Sequence, residues 1–195
     1  NLFSSEVRNQ SIILPTYTYP GSEYWKQVVR MGGNNIEYVI INPSSGPGTK
    51  KDSNYVTQIA KVRKSGIRIL AYIPTTYQKR PIEEVYGDIE KYFRLYGKGD
   101  IDGFFFDEIG VEKEKEVNYM KELYSYVKNL SGNYMIVSNP GRQITDKISP
   151  YSDIFVTSEV SGDEYINRFT EPESEFEKDR KNSKHIYHIV YDVKP

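Results

Sequence analysis

The chain has 195 residues, 37% of them hydrophobic and 27% charged, with a net charge of −1. This suits one globular domain over residues 1–195 and gives no basis for nucleic acid or an anionic membrane as partner. The absence of cysteine excludes disulfides and thiolate metal sites, and no apolar run approaches the roughly 18 residues of a membrane span.

No signal peptide is legible at Asn1, and a chain that begins on Asn rather than Met reads as processed or trimmed. Ser11 to Pro20 reads as a first strand, closed by Pro20-Gly21. Ser22 can cap a helix carrying Trp25, Val28 and Val29 that ends at Gly32-Gly33. Ile36–Ile41 is a second strand running into the loop Asn42-Pro43-Ser44-Ser45-Gly46-Pro47-Gly48. Asn54–Lys64 is a helix and Ile67–Ile73 a third strand, closed by Pro74-Thr75-Thr76-Tyr77. A helix can begin at Pro81 and keeps its apolar spacing to Tyr96. The stretch Gly103-Phe104-Phe105-Phe106-Asp107-Glu108 reads as a buried strand ending abruptly in two carboxylates, since Asp and Glu are poor strand residues. A long helix follows over Glu112–Leu130, then a fifth strand, Tyr134–Ser138, ending in Asn139-Pro140-Gly141. Ile148–Tyr151 is a short turn or helix, Asp153–Ser158 a sixth strand ending on Glu159, and Tyr165–Phe169 a helical turn. Residues 171–183 lack a core stripe and read as a loop or exposed helix; His185–Tyr191 is a seventh strand ending at Asp192.

Alternation of strand and helix means parallel strands with crossover helices. The expected fold is an α/β, (β/α)8 TIM-type barrel lacking its eighth strand and helix in this chain. No G-x-G-x-x-G follows the first strand and no loop is a P-loop, which disfavours a doubly wound nucleotide-binding sheet. In a parallel barrel the C-terminal strand ends share one rim. That rim would carry Tyr17, Tyr19, Asn42, Tyr72, Thr75, Asp107, Glu108, Asn139, Glu159 and Asp192. Asn42 and Asn139 also suit plain turns before proline, and Glu108 a loop cap.

The chemistry open to this set is narrow. His185 and His188 fall on opposite faces of one strand and make a poor metal pair. No G-x-S-x-G is present. Carboxylates alone could hold a hard metal through Asp107, Glu108, Glu159 and Asp192, or could act on a glycosidic bond with aromatic rings holding the sugars. Eighteen tyrosines fit the second option better, since their rings suit a cleft for ligands with polar and apolar faces.

The residues also resemble a known family. Leu14–Pro20, Ile41–Gly48, Ala71–Arg80, Asp88–Tyr92, Gly103–Glu108, Ser138–Gly141 and Val156–Glu159 are similar, in order, to segments of the spherulin-4 (spherulation-specific) family. That resemblance implies an endo-acting hydrolase of α-1,4-linked N-acetylgalactosamine or galactosamine exopolysaccharide, secreted or at the cell surface, with no cofactor. It implies Asp107 as nucleophile, Glu159 as acid/base and Glu108 as assistant. Tyr17, Tyr19, Asn42, Tyr72, Thr75, Tyr77, Asn139 and Asp192 are the expected substrate-binding residues. A non-catalytic carbohydrate-binding barrel is the alternative, because fold does not fix function.

Overall fold

The structure is a computed structural model that describes residues 12–167 and 170–192. Its strands are β1 (Ile13–Pro15), β2 (Tyr38–Ile41), β3 (Arg68–Pro74), β4 (Gly103–Asp107), β5 (Met135–Asn139), β6 (Ile154–Ser161) and β7 (Ile186–Tyr191). Helices α1 (Glu23–Met31), α2 (Ser53–Lys64), α3 (Ile82–Tyr96) and α4 (Glu114–Leu130) cross over between the first five strands. Two short helices, α5 (Gly162–Asn167) and α6 (Glu175–Lys178), lie between β6 and β7. All neighbouring strands are parallel and stand in sequence order, β1 to β7. This is a seven-stranded curled sheet of TIM type, and no eighth strand is present among the described residues.

Both faces of the sheet are apolar. Odd and even strand positions point opposite ways, and both sets are apolar, as in other parallel sheets covered on both sides. Val39, Ile69, Phe104, Phe106, Ile136 and Phe155 face outward and pack on Trp25, Ile59, Val62, Ile89, Tyr92, Leu123 and Val127 of the helices. Tyr38, Ile40, Leu70, Phe105, Val137, Ile154 and Val156 face inward and pack on one another. The interior leaves a cavity of only about 20 Å³, bounded by Ile13 and Pro15 of β1 and by Tyr187 and Ile189 of β7. The two edge strands therefore line the same small space.

Two aspartates tie the N-terminal end of the sheet. Asp102 accepts the Ile69 N–H at 2.8 Å and pairs with Arg63 near the end of α2. Asp153 accepts the Ile136 N–H at 2.8 Å and pairs with Lys128 in the last turn of α4 at 2.7 Å. Each carboxylate thus joins a strand to a helix C-terminus, where a cation is favourably placed.

Several element boundaries differ from the expected ones. β1 is confined to Ile13–Pro15, because Pro15 donates no N–H and Thr16 turns its hydroxyl onto the Ile40 carbonyl. Ser11 lies outside the described residues. α4 starts at Glu114 rather than Glu112, since Glu116 accepts the N–H groups of Glu112 and Lys113 at 3.1 and 2.9 Å and fixes them as the cap. Within 171–183 the exposed-helix alternative holds over Glu175–Lys178, where Asp146 accepts the N–H groups of Glu175 and Phe176. The turn expected over Tyr165–Phe169 is the end of α5, with residues 168–169 outside the described set.

At Gly103 the neighbouring backbone comes so close that a Cβ would sit 2.1 Å from the Met135 carbonyl oxygen. Gly103→Ala should destabilise the fold by about 1–3 kcal/mol, read as a fall in thermal midpoint. Gly132→Ala, where nothing lies within 4 Å of the added carbon, is the control and should leave the midpoint essentially unchanged.

Candidate active site

The inward positions of β4 are Gly103, Phe105 and Asp107, so the pleat that buries Phe105 also points Asp107 into the mouth of the curled sheet. In register, Asp107 lies beside Pro74 on one side and Asn139 on the other. Tyr72, inward on β3, donates its hydroxyl to Asp107 Oδ2 at 2.6 Å. Its ring stacks on Phe105 with centroids 6.1 Å apart, which fixes the donor. Burial first, then the bond to Asp107 and the charges of Asp107 and Glu108, hold the Tyr72 hydroxyl far above the ordinary tyrosine range. It therefore remains a donor at every pH at which the fold survives.

Glu159 reaches the same mouth through an irregularity. Ile154 and Val156 face inward, so strict alternation along β6 would bring Ser158 in and turn Glu159 out. The register between β6 and β7 shifts between Val156 and Ser158, where Thr157 is the extra residue of a bulge. After the bulge Glu159 pairs with Ile189, which packs in the interior, and both side chains point inward.

Asn139 stands between the two acids. Its Nδ2 donates to Asp107 Oδ1 at 3.0 Å and to Glu159 Oε2 at 3.1 Å. The two N–H bonds of an amide diverge by about 120°, so the accepting oxygens are about 5 Å apart, and sharing one nitrogen keeps them within about 6 Å. Asn139 is 7% exposed, and its Oδ1 is buried without a hydrogen-bond partner.

Glu108 leaves the strand at once. Its φ of 56° is left-handed, so it does not continue the alternation that would point it away from Asp107. Its carboxylate lies close enough to Tyr72 to act on that hydroxyl. Its carbonyl accepts the Tyr77 N–H at 2.7 Å and the Thr75 hydroxyl at 2.9 Å. Thr76, Tyr77 and Gln78 are also left-handed, with φ of 53°, 55° and 56°, a run unusual for side-chain-bearing residues. Gln78 clamps this turn to the loop after β4: Oε1 accepts the Gly110 N–H at 2.9 Å and Nε2 donates to the Gly110 carbonyl at 2.8 Å.

The remaining expected residues divide. Tyr17 is 80% exposed; partial burial, then the charges of Glu159 and Asp107, raise its hydroxyl above the usual range, which places it beside the acids. Tyr77 is half exposed at the rim. Tyr19 lies further out, donating to Asp52 at 2.6 Å in an open depression of about 440 Å³ shared with Lys50, Lys51 and Tyr96. Asn42 accepts the Gly46 N–H at 2.9 Å within its own loop, the arrangement of a turn residue. Thr75 is wholly buried and bonds the β4 carbonyls, so it shapes the rim from beneath. Asp192 ends β7 in a left-handed conformation with its side chain exposed. The sequence reading missed Gln78 and the bulge at Thr157; neither leaves a signal in hydrophobic pattern. Among the described residues no group of three or more His, Asp or Glu side chains is arranged to hold a metal ion, and no helix is long and apolar enough to cross a membrane.

Comparison with known proteins shows the family and the fold. The sequence model of spherulation-specific family 4 matches residues 11–195. Spherulin-4 of Physarum polycephalum is 30% identical over 160 residues, which cover 81% of this chain and 47% of the relative; the chain thus spans about half of that protein. The crystal structure of Aspergillus clavatus Sph3 in complex with GalNAc superposes with a TM-score of 0.80 at 27% identity, covering 95% of this chain and 79% of that one. The Bacillus cereus spore cortex-lytic enzyme SleL, at TM-score 0.54 and 12% identity over 75% of this chain and 39% of that one, shares the fold alone.

The Gln78 clamp is testable without any substrate. Gln78→Ala leaves the Gly110 N–H and carbonyl unpaired, at a cost of about 1–3 kcal/mol. Amide exchange should accelerate at Gly110 and across residues 76–80, while protection in β4 and β5 is retained.

Proposed function

The chain belongs to spherulation-specific family 4, and on that footing we propose that it is a retaining glycoside hydrolase. Its substrate would be an α-1,4-linked N-acetylgalactosamine or galactosamine polymer cut internally, outside the cell or at its surface. The observation that carries this reading is the pair Asp107 and Glu159, held by one amide nitrogen at 3.0 and 3.1 Å. Retaining enzymes place their carboxyls about 5–5.5 Å apart, whereas inverting enzymes need about 6.5–9.5 Å to fit a water. A ceiling of about 6 Å between the bonded oxygens favours the retaining arrangement. The GalNAc bound to the Aspergillus relative supports the sugar assignment.

In this reading Glu159 gives its proton to the glycosidic oxygen as the C1–O bond breaks, and an Asp107 oxygen closes on C1 from the other side. Water then gives a proton to Glu159 and attacks C1, releasing Asp107. Asp107 is assigned as the nucleophile because both of its oxygens accept hydrogen bonds, from Tyr72 and Asn139, which fix the carboxylate's orientation in the mouth of the sheet. Glu108, close to Tyr72, adds negative charge that favours the oxocarbenium-like transition state. Tyr17 and Tyr77 offer exposed rings on which sugars can stack.

Release of new reducing ends from acetylated and de-N-acetylated α-1,4-galactosamine polymer tests the reading. Asp107→Asn and Glu159→Gln should each lower the rate at least about 100-fold; wild-type rates in both would overturn it. NMR of the first-formed product should show the anomeric configuration of the substrate. A chelator should leave the rate unchanged, whereas loss restored by Mg or Mn would point to a metal-dependent hydrolase. Saturable binding with no new reducing ends would mark a carbohydrate-binding barrel instead.

A further inference from the structure

We infer that Asn139 is a positioning residue that sets both the spacing of the two acids and the oxygen on which Glu159 carries its proton; the second part rests on the glycosidase reading, the first does not. The side chain is 7% exposed and sits in the last position of β5, level with Asp107. Its Nδ2 spends both hydrogens on carboxylates from two different strands. Turning the amide over would point its oxygen at an Asp107 carboxylate oxygen and lose the donor that both acids share.

This orientation leaves Oδ1 buried without a partner. Such a group ordinarily costs stability, and native folds contain few of them. A residue serving only the fold would be expected to satisfy both ends of its amide. Here one end is left open while the other holds two acids together, so the arrangement serves the acids at the expense of the amide.

The proton assignment follows from hydrogen-bond inventory. A protonated carboxyl has one O–H oxygen and one carbonyl oxygen. Glu159 Oε2 accepts from Asn139, so Oε2 is the carbonyl oxygen in the acid form and Oε1 carries the proton, free to meet a leaving group. Were the bridge absent, the proton could reside on either oxygen and the two carboxylates would face each other with nothing between them.

The groups facing the pair are few. Tyr72 from β3 donates to Asp107, Glu108 follows Asp107 on the same chain segment, and Tyr17 after β1 lies close to both acids. On β7 the titratable neighbours are His188, turned to Tyr165 of α5 at 2.9 Å, Tyr187 and Tyr191 along the strand, and Asp192 at its end. No Lys or Arg ion pair to Asp107 or Glu159 exists among the described residues. The bridge therefore has no cationic substitute there.

The spacing claim can be tested without catalysis. Removing the amide leaves the Asp107 and Glu159 carboxyls facing each other with no donor between them, a loss that matters where carboxylates carry charge and not where both are protonated. Thermal midpoints of wild type, Asn139→Ala and the isosteric Asn139→Asp should be measured from pH 3.5 to pH 7. The deficit of Asn139→Ala should be at least about 3 °C larger at pH 7 than at pH 3.5, and that of Asn139→Asp larger still, because it brings a third negative charge. A deficit equal at both ends, as lost packing alone would give, overturns the inference for either variant. If Asn139→Ala does not fold, the shape-conserving Asn139→Asp decides the matter by the same slope.

The proton claim is read in hydrolysis. Asn139→Ala should lower kcat at least about 10-fold with KM unchanged, and its pH–rate profile should change, since the two carboxyls lose the donor they share. An unchanged profile overturns the proton assignment. An inactive wild type would sink the glycosidase reading and this second part with it, while the stability slope would still decide the bridge.

Discussion

The pairing of β3, β4 and β5 in a single parallel register is the constraint from which the site follows. It sets Pro74, Asp107 and Asn139 side by side, and the two-residue period of the strands then decides what points into the mouth. Phe105 must face inward to pack with Leu70 and Val137, and that requirement carries Asp107 inward two residues later. A slip of one residue would bury a carboxylate under the helices and expel Phe105, so the apolar interior enforces the placement of the acid. The chemistry of the rim is thus fixed by packing several ångströms below it.

Glu159 required a different solution. Its strand begins with Ile154 and Val156 in the interior, which is the wrong parity for an acid at position 159. A single extra residue at Thr157 repairs the parity without disturbing the apolar half of β6. Bulges beside functional sites commonly re-aim a side chain in this way. The left-handed run at Thr76, Tyr77 and Gln78 is a second local departure, held by two bonds between Gln78 and Gly110. Both departures occur above the level of the core, where the sheet is stable enough to carry them.

Much of this was legible in the sequence. Seven apolar runs with turn residues between them give the strands and their order, and polar groups at the strand ends mark the rim. Asp107 and Glu159 stand out because carboxylates are poor strand residues and close apolar runs. What could not be read is governed by single backbone angles or single hydrogen bonds. Nothing in Val156-Thr157-Ser158 announces a bulge, and nothing in Asp107-Glu108 announces that the second residue leaves the strand in a left-handed conformation. Asn139 before Pro140 looks like an ordinary turn residue, and only the register with Asp107 shows that its amide lies between two acids. Thr75 and Asn42 have the composition of ligand contacts, yet their side chains bond to the rim's own backbone.

The donors around the acids are neutral, and that choice bears on what the pair can do. A lysine or arginine between Asp107 and Glu159 would favour ionisation of both, and a pair that is always doubly ionised has no proton to give. An amide and a phenol supply directed hydrogen bonds without a full charge. They distinguish the two acids by number: among the described residues, Asp107 accepts from Tyr72 and from Asn139, and Glu159 from Asn139. The two carboxyls thus differ in their hydrogen bonding within the fold itself.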